Sequence, residues 1–403
     1  MMVWLWILIA FIGLWMFLRH LPAGFDAKRP VGELLALTPL LMIPLVILTI
    51  LSAVFCAWGP FILGLLLLGY EVYFVRSYFF GKKPQSRQQQ FEKDNVSLDE
   101  LLKPKNPLDR LIFENEEQDQ KKTPNAFLEN TLGTAQVSEE TDEHYVYDED
   151  QYVTVMTLNC RYGRADADTI RDLVHEYHVG VLALQEVTDD LKEALIKNRL
   201  ILDLPYYTAG EQSANDNGGF NMIWTRQSPE ILKKSTIDLE AAAAPGAVIS
   251  VGEHRLFIAS VHPKSPHRGG AYWGYGITHL SQFITYTGAS APSIPSHAPA
   301  AVDPVQKQPP ENIADSAIVM GDLNSSLDLP SFRSVLDAGF TDSSLEIHSG
   351  FHLTFPTSWP AVPRLLELDH VLHTAGLEAV EVHSIVVPGT DHASLIAVLR
   401  DNS

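Results

Sequence analysis

Cysteine is almost absent, two in 403 residues, which is too few for a scaffold held by several disulfides. Cys56 lies in an apolar run and Cys160 follows a strand pattern, so neither indicates a redox compartment. Positive charge is also short, with 29 Lys+Arg against 49 Asp+Glu and a formal net charge of −20. That balance disfavours a protein that coats nucleic acid by charge alone, because such binding needs clustered cations to displace counterions. No internal repeat of fixed period is present. Locally, charge itself is missing: none falls between Val3 and Leu18, and Glu71 is the one charge between Leu34 and Val75. A mean hydropathy near zero therefore averages an almost uncharged N-terminal part and an ordinary globular remainder. With 46% apolar residues, the chain is long and hydrophobic enough to hold a real core and too long for one small domain.

The charge-free stretches predict a membrane region over residues 1–76 with three transmembrane helices, at about 3–19, 34–56 and 59–76. Trp58-Gly59-Pro60 supplies the turn between the second and third. A cleaved signal peptide is the alternative for the first, but it would need a basic start and a small-residue cleavage site. Arg19, Lys28 and Arg29 in the first loop, and Arg76, Lys82, Lys83 and Arg87 after the third helix, place the C-terminal part in the cytoplasm by the positive-inside rule. Residues 77–150, with QSRQQQ, ENEEQDQKK and EETDEHYVYDED, predict an acidic, largely disordered linker. From 151 to 403, β-rich runs such as VTVMTLN, VGVLALQE, FIASVH and AIVMGDLN alternate with helical patterns, as in an α/β domain. A Pro/Ala/Ser-rich stretch at about 288–316 reads as a surface insertion in it.

The polar residues of this domain fall at strand ends, where α/β proteins build their sites. Asn159 closes VTVMTLN, Glu186 closes VGVLALQE, His262 closes FIASVH, and Asp322 with Asn324 closes AIVMGDLN. Asp369 opens LDHVL, and Asp391-His392 precedes the last strand. Singly, each of these is as readily a turn or a helix cap; together, carboxylates, amides and imidazoles suit a hard divalent cation and a phosphate ester. His267-Arg268 and Tyr272-Trp273-Tyr275 either touch a substrate or pack as a structural loop.

The ordered motifs TLNCR, LQEV, GGFNMIWTR, SVHPKS, GDLNSS, ELDHVL and GTDHASLIA span about Tyr152 to Leu399. In that order they resemble the endonuclease/exonuclease/phosphatase superfamily, which includes deoxyribonucleases, apurinic-site endonucleases, neutral sphingomyelinases and inositol-polyphosphate phosphatases. The resemblance implies a four-layer α/β sandwich of two packed mixed β-sheets, here preceded by transmembrane helices. It implies Glu186 as principal metal ligand, with Asn159 beside it and Asp391 as a further ligand, for Mg²⁺ with Mn²⁺ as a substitute. By the same likeness Asp322 and Asn324 activate the attacking water and hold the phosphate, His392 pairs with Asp369, and His262 contacts phosphate. Arg268 is a candidate for substrate binding.

Val319 and Ser325-Ser326 depart from the inositol-phosphatase pattern around the Gly-Asp-x-Asn motif. From residue 151 on, 16 Lys+Arg against 29 Asp+Glu leave a balance of −13, which disfavours tight DNA binding. The N-terminal helices, with LLALTPLL at Leu34–Leu41, resemble a bacterial membrane-anchored subgroup whose catalytic domain lies outside, opposite to the charge rule. The expectation is a multi-pass cell-membrane phosphoesterase, more readily for a diester than a monoester. Its partners are the bilayer and a phosphate-ester substrate: a phospholipid head group, a nucleic acid or a small molecule, with no obligate protein partner. A nuclease and a non-catalytic scaffold retaining the fold are the alternatives.

Overall fold

Strands that are apolar at every position need cover on both faces, and two facing sheets with helices outside each supply it. The computed structural model describes residues 2–81 and 151–402 apart from 213–217, 238, 240, 291–312 and 360. The predicted linker beyond residue 81 and most of the predicted insertion lie outside the described residues. One six-stranded sheet has the order β11-β12-β1-β2-β4-β3. Its strands are β1 (Tyr152–Asn159), β2 (Val181–Val187), β3 (Tyr206–Ala209), β4 (Phe220–Thr225), β11 (Leu377–Val386) and β12 (Ala393–Asp401). The other has the order β5-β6-β7-β8-β10-β9. It contains β5 (Ile231–Lys233), β6 (Gly246–Val251), β7 (His254–Ser260), β8 (Ser316–Asp322), β9 (Thr341–Asp342) and β10 (Asp369–His373). Both sheets are mixed: β1 runs parallel to β2 and β7 to β8, and the remaining pairs are antiparallel.

Alternation of side chains sorts the core into layers. Val153, Val155, Val181 and Ala183 of the first sheet meet Ile258, Ile318, Met320 and Val371 of the second. On the outer side of the first sheet, Met156, Leu158, Leu182 and Leu184 pack with Ile170 and Val174 of α5 (Ala167–Glu176) and Leu191 and Leu195 of α6 (Asp189–Lys197). Outside the second, Phe257, Ala317 and Val319 pack with Trp273 and Ile277 of α7 (Pro266–His279) and Phe332 and Val335 of α8 (Pro330–Asp337). The result is the four-layer α/β sandwich.

The N-terminal part holds α1 (Val3–Phe17), α2 (Val31–Ala36), α3 (Met42–Val54) and α4 (Trp58–Phe74). With their 3₁₀ extensions, Val3–His20 and Trp58–Tyr78 are long and apolar enough to cross a membrane, and Thr38–Val54 is a shorter apolar helix. Where one helix over 34–56 is expected, the chain breaks after Ala36 and re-enters helix at Met42. Pro39 lies in the first turn of the intervening 3₁₀ segment and Pro44 in the first turn of α3. Proline is tolerated at such starts but breaks a continuous helix, because it lacks the amide. Leu5, Ile9, Ile12 and Met16 of α1 pack on Leu45 and Leu48 of α3 and Leu67 of α4. Ile7, Leu14, Ile50 and Leu66 face outward and are exposed.

The ends of these helices are built into the sandwich. Arg19, fully buried, forms ion pairs of 2.8 Å with Glu71 at the end of α4 and with Asp328 in the loop between β8 and α8. Arg333 of α8 donates to the carbonyls of Leu327 and Arg19, satisfying an acceptor left open at the end of α1. Asp26 accepts from the Ser331 amide at 2.7 Å and its hydroxyl at 2.6 Å. It thus caps α8, whose own preceding residue, Leu329, has no side-chain acceptor; such a cap stabilises by about 1 kcal/mol. Leu35 of α2 is buried in the same cluster as Trp273 and Phe332. Gly274 of α7 makes room for Ala27, whose Cβ would lie 2.6 Å from a Cβ built there. At the end of α4, Tyr78 packs on Phe351 with 4.6 Å between ring centroids, and its carbonyl accepts from the Gly350 amide. Residues 77–81, expected as the start of the linker, are therefore part of the folded unit.

Candidate active site

Four strands deliver polar side chains to one end of the layer between the sheets. Asn159 follows Val153 and Val155 on the inward face of β1, and Asp322 follows Ile318 and Met320 on the inward face of β8. His262 continues the inward series of Leu256, Ile258 and Ser260 just past β7. Simple alternation would send Glu186 of β2 to the helix side with Leu184. Instead the β2–β4 register shifts between Leu184 and Val187, and Glu186 has a φ of 52°. This bulge re-aims the carboxylate into the site. Gly218 makes the bulge possible: at its φ of +93°, an added Cβ would come 2.4 Å from Glu186 Oε2.

Asp322 Oδ2 is the focus of the cluster. Asn159 Nδ2 donates to it at 2.9 Å, and the Nε2 atoms of His262 and His392 lie 3.6 and 3.7 Å away. Its other oxygen accepts from the Asn324 amide at 2.8 Å, which holds Asn324 in a left-handed turn at φ 49°. Asn324 Nδ2 donates to the Pro263 carbonyl, joining the two loops at the mouth. Glu186 Oε2 accepts from the Tyr162 amide at 3.0 Å, while Oε1 lies 3.5 Å from Asn159 Nδ2 and 4.0 Å from His262 Nε2.

His392 Nδ1 donates to Asp369 Oδ2 at 2.7 Å. Burial acts to lower the pKa of this imidazole, but the charges of Asp369 and Asp322 and the Asp369 hydrogen bond outweigh it and hold the value at about 10. His392 is thus an imidazolium at neutral pH, facing Asp322. Asp391 stands apart, ion-paired with Arg161 at 3.4 Å, and Arg268 donates to the Tyr162 hydroxyl at 3.0 Å on the rim.

The donor chemistry fits a divalent cation. Glu186, Asp322 and Asp369 are all buried, and among the described residues no Lys or Arg pairs with any of them. Asp369 Oδ1 has no hydrogen-bond partner among the described residues. Three buried carboxylates with two imidazoles leave excess negative charge in an oxygen-rich site, the setting for Mg²⁺ or a similar ion. Asp322, Asp369 and His392 each offer one ligand atom within 4.8 Å of the others; the His392 Nδ1, however, is already committed to Asp369.

Several supporting residues were not singled out from sequence. Thr390 donates to the Asn159 carbonyl at 2.6 Å and accepts from the His392 amide. Thr354 Oγ1 accepts from the amides of Leu368 and Asp369, and Phe355 packs on the His392 ring. Under the site, Thr157 donates to Gln185, which donates to Ser260, tying the sheets together. Their signal was weak because threonine and glutamine in strands read as ordinary β residues.

Solved structures to which the chain is similar include an endonuclease/exonuclease/phosphatase family protein from Leptotrichia buccalis, 13% identical, with 61% of this chain and 98% of that one covered and a TM-score of 0.43. An endonuclease/exonuclease/phosphatase from Beutenbergia cavernae is 16% identical, with 62% and 72% covered and a TM-score of 0.44. A humanized D. rerio TDP2 is 16% identical, with 62% and 98% covered and a TM-score of 0.43. No curated protein matches the sequence. The sequence profile described as Endonuclease/Exonuclease/phosphatase family matches residues 156–392, from within β1 to the histidine that faces Asp322, and the chain belongs to that family.

Proposed function

We propose that this protein is a membrane-embedded, divalent-metal-dependent phosphodiesterase. The observation that carries the reading is the convergence on Asp322 Oδ2 of Asn159, His262 and His392, with Glu186 alongside. Asp322, oriented by Asn159, takes a proton from the attacking water. The water oxygen forms the new bond to phosphorus, the P–O bond to the leaving group breaks, and the departing oxygen acquires its proton from solvent. His262 and His392 offset charge on the phosphoryl oxygens, and Asp369 fixes the His392 ring. Asn324 holds the phosphate. Glu186 and Asn159, with Asp391 as the family likeness implies, would hold Mg²⁺ or Mn²⁺, which when bound supplies Lewis-acid neutralisation of the phosphate. A site whose carboxylates carry no Lys or Arg among the described residues, and whose raised imidazole is His392, suits the single charge of a diester better than the double charge of a monoester.

The membrane part of the reading is supported by Val3–His20 and Trp58–Tyr78, which are long enough to span and carry exposed apolar side chains along their outer faces. The test is hydrolysis of methyl p-nitrophenyl phosphate by the full chain in lipid nanodiscs, with Mg²⁺ and with chelator, beside Glu186→Gln. Turnover that disappears with chelator and in the variant is the expected result. A folded protein that turns over no diester in any divalent ion would leave the scaffold reading in its place.

A further inference from the structure

We propose that the N-terminal segment between α1 and α2 forms one wall of the active-site mouth and adds Arg29 to a cationic rim that takes the phosphate of a lipid head group. The inference rests on the phosphodiesterase reading and names its substrate class: a phosphodiester presented at a bilayer surface.

A run of contacts joins the helix ends to the candidate metal carboxylate. Arg29 Nη2 donates to the His267 carbonyl and lies 3.4 Å from His267 Nδ1. The next residue, Arg268, donates to the Tyr162 hydroxyl, and the Tyr162 amide donates to Glu186 Oε2. Arg29, His267, Arg268 and Tyr162 are all exposed, so the path is a surface rim rather than a core network. Glu33 pairs with Arg29 Nε at 2.8 Å, which orients the guanidinium while leaving its side chain 58% exposed.

The rim also lies at the level of the bilayer surface. Phe17, Phe25, Tyr73 and Phe80 are exposed around the domain ends of α1 and α4, while Trp4, Trp6 and Trp58 are exposed at the opposite ends. Two such aromatic sets mark the two water–lipid boundaries. Lys28 Nζ lies 4.5 Å from the Phe25 ring centroid, and Arg29 is the next residue. A domain on a loose tether would lose this register. Here it is fixed by the buried Arg19–Asp328 pair and by Asp26 on Ser331, so the mouth stays beside the head groups.

The experiment places the full chain in phosphatidylcholine nanodiscs, both faces of which are open to solvent. Two substrates with the same leaving group are compared: a p-nitrophenyl phosphodiester of dioleoylglycerol carried in the disc, and water-soluble methyl p-nitrophenyl phosphate. Hydrolysis of the lipid-borne diester is expected to exceed that of the soluble one by at least about tenfold, and Arg29→Glu to lower the ratio by about tenfold, with Arg29→Lys restoring most of it. Soluble turnover with no preference for the lipid-borne diester, or a ratio that Arg29→Glu leaves unchanged, overturns the inference and leaves the phosphodiesterase reading standing. Absence of chelator-sensitive turnover of either substrate overturns both.

Discussion

Two buried ionic clusters sit at opposite sides of the loop from Asp322 to Asp328, and their charge balance differs. Where the helices meet the sandwich, Arg19 pairs with both Glu71 and Asp328, and Arg333 adds a second cation beside Asp328 and Asp26. At the end of the inter-sheet layer, Glu186, Asp322 and Asp369 face two histidines and no Lys or Arg among the described residues. Taking charge out of water costs several kcal/mol per ion unless partners compensate it. The balanced cluster is therefore complete as a structural joint. On the proposed function, the excess negative charge of the other is there for a cation that binds with the phosphate.

The largest effect expected from this contrast is at Glu186. Glu186→Gln keeps the size of the side chain and an acceptor for the Tyr162 amide while removing the charge. Diester turnover should fall about a thousandfold, as the loss of several kcal/mol of charge stabilisation implies. Independently of activity, Mg²⁺ should stabilise the wild-type chain by about 2.7 kcal/mol at a hundred times its dissociation constant, and the variant by far less. Equal thermal shifts in the two proteins would show that the excess charge is not a cation site.

The balanced cluster should respond in stability rather than in chemistry. Arg19→Met leaves Glu71 without its ion-pair partner and Asp328 with Arg333 alone, and a loss of about 3–5 kcal/mol is expected in denaturation of the full chain in detergent micelles. Adding Glu71→Gln should recover most of that loss, since the Arg19–Glu71 pair then leaves together and Arg333 stays with Asp328. A single variant as stable as the wild type would mean that the helices rest on the sandwich without being joined to it. Asp369→Asn addresses the other cluster more gently. The His392 ring keeps an acceptor but loses its counter-charge, and kcat should drop about a hundredfold with little change in the folded state. Unchanged kcat would remove His392 from the chemistry.

The same contrast explains what was legible in the sequence. The four-layer fold follows from runs such as VTVMTLN and AIVMGDLN, apolar on both faces, and the site from the polar residue that ends each run. Glu186 was found at a strand end, but the bulge that turns it inward depends on Gly218 and Gly219, some 30 residues away, and alternation alone gives the wrong face. The role of the N-terminal segment was not legible at all. Arg19 reads as a topology charge and Asp26 as a loop residue, whereas their partners Asp328 and Ser331 lie about 300 positions on, beyond any periodicity. The break at Leu37–Thr38 was hidden because apolar content was uniform on both sides of Pro39, and the docking of Leu35 into the sandwich core adds to the two prolines a reason for the chain to turn there.

The smallest effect tests the comparison at a third buried group beside the active site, where His370 stands with two carboxylates, Asp342 and Glu367. His370 Nδ1 donates to Asp342 Oδ2 at 2.6 Å, and His370 Nε2 meets the Ser325 carbonyl at 3.1 Å. Burial pushes the imidazole pKa down, but the Asp342 charge and hydrogen bond outweigh it and raise the value to about 9. A histidine raised in the folded state contributes stability that is complete below its unfolded pKa, about 6.5. That contribution is lost as pH climbs through 9, so stability should fall by about 1–3 kcal/mol between pH 6.5 and 9. Asp342→Asn keeps the oxygen that accepts from the Ser344 amide but removes the charge. It should take away the His370 share of the pH slope, leave the share of His392, whose pKa is also raised, and lower stability at pH 6.5. A variant whose slope is as steep as that of the wild type would show that His370 contributes nothing to the pH response and that its contact with Asp342 is not a structural element.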